Sequence, residues 1–303
     1  MRNVLTSLLG ATALVLSACG SSSDSSVDGD TDLPSVVVTT SIAGDMVTAA
    51  LGDLVGSELK VEVIVPVGAD AHEFAPSARQ AETMENADLL VVNGLGYEEG
   101  MGDIVDNAID AGAAPFVLGL SREPAEGSDP HVWLDPVLMS DVFATFPDAV
   151  ATATGVPIAD VQAPVARYVE LLTDLDATIK NEFAATDPAT RNLVTNHDSL
   201  SRFADRYGLT VIDTIIPSVS TSAEASAADL DEAIAAIREN DVNAIFADST
   251  SSDELAQALA DELGRDIRVI ELFTESLGEP GTDADTYIGM MTVNAQRIAS
   301  ALR

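Results

Sequence analysis

The sequence predicts an α/β protein of two lobes, each built on a parallel sheet, bridged by one long rigid helix. Three observations carry this expectation. From Ser35 onward short apolar, β-branched runs alternate with helical patterns; residues 159–185 then break the rhythm with one uninterrupted helical stripe; and beyond them the alternation resumes. A length of 303 residues, at about 150 per domain, is likewise enough for two domains with a core in each.

The first lobe opens with Val36 to Thr40, a β-branched run, and Ile42 to Leu51 behind it is helix-like. Lys60 to Val65 alternates as a strand, and Ala78 to Asn86 reads as helix. Leu89 to Val92 is a buried strand, Glu98 to Ala111 a helix, and Phe116 to Leu118 a strand, which is the β-α-β rhythm of a parallel sheet. In the middle segment Val161, Val165, Tyr168, Leu172, Leu175, Ile179 and Phe183 recur at spacings of three and four, one apolar stripe over about seven turns. No Gly interrupts it, and Pro164 falls near its start, where a proline is tolerated. Asn192 to Thr195 and Leu209 to Ile215 then read as strands, Ala223 to Glu239 as helix, and Ala244 to Ala247 as strand. Asp253 to Leu263 is helical, Ile267 to Ile270 a strand, and Asp285 to Leu302 a closing helix. The lobes are therefore expected at 35–158 and 188–303, with the linking helix at 159–187.

The first 34 residues belong to targeting rather than to fold. Arg2 supplies a positive start, and Leu8 to Leu16 is apolar but far shorter than the ~20 residues of a membrane span. It runs into Leu16-Ser17-Ala18-Cys19-Gly20, a lipobox pattern that predicts a signal peptide at 1–18, cleavage before Cys19 and lipid attachment there. Ser21 to Asp32 is a Ser/Asp/Gly tract able to bury nothing, so 19–34 reads as a flexible tether. The expected location is extracytoplasmic, held at the bacterial membrane by lipid alone. Cys19 is the only cysteine, which excludes a disulfide and a thiolate metal cluster.

Lys and Arg total 14 against 50 Asp and Glu, a formal net charge of −36. Such a surface repels phosphate backbones, so nucleic acid is excluded as a partner, while cations are attracted. The plainer account of the acidity is a solvated surface that keeps the chain soluble.

Chemistry concentrates in three histidines. His72 lies in the loop leaving the strand that starts at Lys60, His131 lies beyond the strand at Phe116, and His197 follows the strand at Asn192. All three fall at or past the carboxyl ends of strands, the edge where open α/β sheets bind ligands. Two come from the first lobe and one from the second, as a site in the inter-lobe cleft requires. Neutral imidazoles grouped in this way suit Zn, Cu, Ni and Fe. A fourth ligand from the second lobe would close a tetrahedral shell. Position alone leaves Glu271, Glu275, Asp213 and Asp248 as candidates.

Four segments narrow this choice: Gly68-Ala69-Asp70-Ala71-His72-Glu73-Phe74; Asp129-Pro130-His131-Val132-Trp133-Leu134-Asp135-Pro136; Asn196-His197-Asp198-Ser199 with Phe203 to Leu209 behind it; and Thr274-Glu275-Ser276-Leu277-Gly278. With the lipobox and the long middle helix, they make the chain from about Ser35 to Arg303 similar to the metal-receptor lipoproteins of zinc/manganese ABC importers, the cluster A-I solute-binding proteins. The resemblance implies two α/β lobes on a rigid helix, modest lobe movement on binding, and metal ligation by His72, His131, His197 and Glu275. It also implies a monomer that is not an enzyme, whose partners are a divalent ion and the permease and ATPase subunits of an importer. A second role in cell adhesion is attributed to some relatives.

The chain departs from the family pattern in places. Ala71 and Ala75 replace a usual Pro and Glu of the first motif, which predicts a looser loop. Glu275 stands where Asp is frequent, one methylene longer, and the segment from Leu118 to Pro130 lacks the His-rich loop of some zinc receptors. Three imidazoles and one carboxylate favour Zn²⁺, with Mn²⁺ second because it prefers more oxygen ligands. Rival expectations are a receptor for a chelated metal or organic solute, which calls for aromatic walls or Arg clamps, and a zinc hydrolase, for which no His-Glu-x-x-His is present.

Overall fold

Val36, Val37 and Val38 sit at the centre of a four-stranded sheet, covered on both faces as parallel strands must be. The computed structural model describes residues 33–123, 125, 128–264 and 267–303. The signal peptide, Cys19 and nearly all of the tether expected from the sequence lie outside the described residues. The first sheet comprises β1 (Ser35–Val38), β2 (Lys60–Val63), β3 (Leu89–Val92) and β4 (Ala114–Val117), all parallel and ordered β2-β1-β3-β4. Pro115, which has no N–H to give, is confined to the edge strand β4. The second sheet comprises β5 (Asn192–His197), β6 (Thr210–Ile216), β7 (Ala244–Asp248) and β8 (Arg268–Leu272), again parallel and ordered β6-β5-β7-β8. In both sheets the winding reverses between the first and third strands, opening a crevice at their carboxyl ends.

Helices α1 (Ser41–Leu51), α2 (Ala78–Glu85), α3 (Gly102–Ala111), α4 (Pro136–Phe143) and α5 (Phe146–Thr154) belong to the first half of the chain. The long helix α6 (Ile158–Phe183) comes next, then α7 (Ser201–Tyr207), α8 (Ala227–Glu239), α9 (Glu254–Leu263) and α10 (Tyr287–Ala301). The 26 residues of α6 span about 39 Å. All seven residues of its apolar stripe are buried, facing α1, α4, α5 and α10. Pro164 is the seventh residue of α6, deeper than the first turn. The carbonyl it leaves without a donor belongs to Asp160, on the exposed side of the helix, where water can serve it.

Several boundaries differ from the sequence expectation for local reasons. Helix α8 begins at Ala227 rather than Ala223 because the Ser226 side chain accepts from Asp229 N and closes a capping box. The Thr286 side chain accepts from Gly289 N, a simple N-cap that delays the start of α10 to Tyr287. A 3₁₀ turn over Glu99–Met101 precedes α3. Strand β5 runs two residues further than expected, so His197 is its last member.

The core does not divide with the lobes. One apolar cluster runs from β1 and β3 through α6 to Leu193, Phe246, Leu272 and the inner face of α10. A smaller cluster lies between the second sheet and helices α8 and α9. Helix α10, from the last residues of the chain, packs on α6 and reaches α1, where Tyr287 N donates to Asp45 Oδ2 at 2.8 Å. The long helix is therefore not the sole bond between the halves.

Candidate metal centre

His72 is delivered by the loop after β2. Asp70 Oδ1 accepts from His72 N at 2.8 Å, and the His72 carbonyl accepts from Gly100 N at 3.0 Å. Only glycine fits at 100, because a Cβ there would lie 2.5 Å from the Phe74 carbonyl oxygen. Gly68 turns the same loop with φ of +82° and donates its N–H to Ser276 Oγ in the other half at 2.7 Å. The loop is thus pinned at three points, without the proline whose loss predicted slackness.

His131 sits beyond β4, in a turn closed by Asp129. Oδ1 of Asp129 accepts from His131 N at 2.9 Å and faces Nδ1 at 2.7 Å, which leaves Nε2 as the outward nitrogen. Asp129 is held in turn by Arg202 of α7. His197 ends β5, its Nδ1 3.4 Å from Asn196 Oδ1.

Glu275 lies three residues after β8. Asp248, at the end of β7, pins that loop: its Oδ2 accepts from Thr274 N at 2.9 Å, from Glu275 N at 3.1 Å and from the Thr274 hydroxyl. Trp133 Nε1 donates to the Thr274 carbonyl at 3.0 Å, and Asn294 of α10 brackets the backbone of Phe273. Of the carboxylates that position left open, Asp248 is a support, Glu271 turns to Arg297 at the surface, and Asp213 accepts from Thr214 N.

The four side chains converge. One ligand atom from each of His72, His131, His197 and Glu275 lies within 4.8 Å of all the others. Glu275 Oε1 is 3.1 Å from His197 Nε2 and 3.3 Å from His131 Nε2, while Oε2 is 3.8 Å from His72 Nε2. A tetrahedron of bonds near 2.0–2.1 Å has edges of about 3.3 Å, so the two Oε1 spacings match that shell and the His72 spacing is somewhat wider. All four are 2% exposed or less. His72 Nε2 and His131 Nε2 have no hydrogen-bonding partner among the described residues, an arrangement that costs free energy unless something else binds them.

The electrostatics agree. Burial pushes His72 down to about 4, against the pull of Glu275. Burial also opposes charge on His131, but the Glu275 and Asp129 carboxylates outweigh it and raise its pKa. Glu275, despite burial, is held well below the usual carboxylate range by His131 and His197. A separate cavity of about 510 Å³ beside α3 is lined by Glu98, Glu99 and Arg122 and includes none of the four residues.

Sequence reasoning passed over Tyr97, whose hydroxyl donates to Glu275 Oε2 at 2.7 Å. Its place after β3, at the same sheet edge as the histidines, was the available signal. Asp129, two residues before His131, was another.

Comparison with known proteins finds relatives over most of the chain. Residues 36–301 match the family model described as zinc-uptake complex component A, periplasmic. The zinc-binding protein TroA of Treponema pallidum is 32% identical over 293 residues, 93% of this chain and 92% of its own. The manganese-binding lipoprotein MntA of Halalkalibacterium halodurans is 28% identical over 302 residues, 96% of this chain and 95% of its own. The solved structure of periplasmic TroA superposes with a TM-score of 0.81 at 28% identity, over 89% of this chain and 99% of that one. A crystal structure of ZnuA superposes with a TM-score of 0.75 at 25% identity, over 90% of this chain and all of that one.

Proposed function

The chain belongs to the zinc-uptake component A family of metal-binding ABC transporter receptors, and from that premise we propose that it captures Zn²⁺ outside the cytoplasmic membrane and delivers it to an ABC-type importer. The observation that carries this reading is the convergence of three imidazoles and one carboxylate, all buried, with unpartnered nitrogens turned toward a common point. His72, His131, His197 and Glu275 are the ligands in this reading. Three nitrogens and one oxygen suit tetrahedral Zn²⁺, whereas Mn²⁺, the second choice, prefers a larger share of oxygen. Relatives named for zinc and for manganese both occur, so ligand chemistry supports the choice more than kinship does.

The family is one of transport receptors, not enzymes. Four protein donors also leave no open position for a reacting water, which favours carriage over hydrolysis. Two donors come from each side of the cleft, so closure completes the shell and separation dismantles it. Cys19 would carry the lipid anchor, and the permease with its ATPase would receive the ion.

The test is elemental analysis of the mature chain purified without added metal, beside His197→Ala. About one zinc per chain in the wild type and loss in the variant are expected. Mn²⁺ outcompeting Zn²⁺ in thermal-shift titrations overturns the choice of metal, and a chain that binds neither overturns the function.

A further inference from the structure

The two oxygens of Glu275 are not equivalent. Oε1 faces His131 Nε2 and His197 Nε2 at 3.3 and 3.1 Å, whereas Oε2 accepts the Tyr97 hydroxyl at 2.7 Å and stands further, 3.8 Å, from His72 Nε2. Tyr97 has little freedom to withdraw. It is 1% exposed, and its ring is wedged edge-on against His72 at 4.6 Å between centroids and tilted against Trp133 at 4.7 Å. Trp133 is itself tied to the Thr274 carbonyl, one residue from the carboxylate in question. Donor and acceptor are thus locked to one another from both sides of the cleft.

We propose that Tyr97 determines the metal specificity of the site, by engaging Glu275 Oε2 so that the carboxylate binds the ion through Oε1 alone. This rests on the metal-capture reading above and deepens it. A glutamate reaches far enough to chelate with both oxygens, and doing so gives the ion a fifth, oxygen ligand. Such a shell suits Mn²⁺, which takes oxygen donors and higher coordination, better than it suits tetrahedral Zn²⁺. The phenol hydrogen bond keeps the shell at three nitrogens and one oxygen. It also fixes the rotation of the carboxylate, as outer partners of metal ligands do. Tyr97 acts through Glu275 and touches no ion itself.

The substitution Tyr97→Phe removes the hydroxyl and keeps the ring against His72 and Trp133. Competition titrations of Zn²⁺ against Mn²⁺ on the full mature chain measure the selectivity ratio, which is expected to fall by about tenfold or more in the variant. Co²⁺ supplies a second readout that a merely structural role leaves unmoved. The wild-type complex is expected to show the intense visible bands of four-coordinate Co²⁺, and the variant the weaker bands of five-coordinate Co²⁺. A wild-type spectrum that is already five-coordinate overturns the proposal without any variant having to fold. An unchanged Zn²⁺ to Mn²⁺ ratio in a variant that binds both ions overturns it as well, while leaving metal capture intact. A wild type that takes up neither Zn²⁺ nor Co²⁺ overturns the capture reading and the role of Tyr97 with it.

Discussion

Arg202 crosses the cleft to Asp129: its Nε and Nη2 donate to the Asp129 carbonyl oxygen at 2.9 and 2.5 Å, and Nε lies 3.4 Å from Oδ2. Asp129 is the residue that orients His131, so an arginine of the second half sets the geometry of a proposed ligand in the first.

Arg202→Ala is therefore expected to weaken Zn²⁺ binding by about tenfold while leaving the four ligands in place. Arg202→Lys recovers little of it, since a lysine ammonium cannot reproduce the two-nitrogen fork. Isothermal calorimetry on the three proteins measures the effect. Equal affinities for wild type and Arg202→Ala contradict the coupling.

Asp248 Oδ2 accepts three donors in the Glu275 loop and Oδ1 accepts Thr250 N and the Thr250 hydroxyl, so the amide of Asp248→Asn opposes at least one backbone N–H whichever way it turns. Breaking this buried network is expected to cost about 2–4 kcal/mol of stability and to lower metal affinity together. Chemical denaturation of the metal-free chain separates the two losses. A variant as stable as the wild type shows that the loop has other support.

Zinc binding is expected to release protons. The Glu275 and Asp129 carboxylates, outweighing burial, raise the His131 pKa, so a proton must leave its ring before the metal can bind there. Near pH 7.5 about one proton per ion should appear when calorimetry is repeated in buffers of different ionisation enthalpy. With that pKa raised to about 10, affinity falls steadily as the pH drops below that value, and more steeply near 4, where His72 takes up a proton as well. Affinity unchanged between about pH 7.5 and 5 rules out histidine ligation.

Asp176 of α6 offers a test of fold stability away from the metal. Burial works to raise its pKa, but hydrogen bonds from Arg206 at 2.9 Å and Lys180 at 2.7 Å outweigh that and hold it below 3.8. A lowered carboxyl pKa stabilises the fold fully above the unfolded value and loses that contribution as pH falls through the native value. Asp176→Asn should therefore be about 1–2 kcal/mol less stable at neutral pH, with the gap closing in strong acid. A gap of constant size from neutral pH into strong acid contradicts the ion-pair account.

The continuous core predicts limited opening. Small-angle scattering of the metal-free and zinc-loaded chain should give nearly equal radii of gyration. A large compaction on loading means that the contacts of α10 with α1 and α6 break in the free state.

Much of this architecture is legible in the sequence because it is periodic. The stripe from Val161 to Phe183 marks α6, and alternating runs mark the strands, since both patterns are local and repeat at the element's own pitch. The shorter α4, α5 and α7 span two turns or little more and escape that test, although Asp135-Pro136 announces the start of α4 as an N-cap with proline at the first helical position. The histidines are visible through their places at strand ends. Glu275 stands out among neighbouring acids only by its motif, because what separates it from Asp248 is which way each side chain turns after its strand. Tyr97, Arg202 and Asp248 are hidden for a related reason. Each acts through a residue between 27 and 178 positions away, a relation that only tertiary packing creates.

The four proposed ligands are shared evenly across the cleft, and this has a mechanical consequence. Coordinate bonds to such an ion are only about 2 Å long, so sliding one half past the other by a similar distance is enough to strip it of two donors. A stiff body can then unload its cargo without swinging wide. In the proposed importer the permease need only pry, and its effort would be concentrated on four bonds instead of being spread along a hinge.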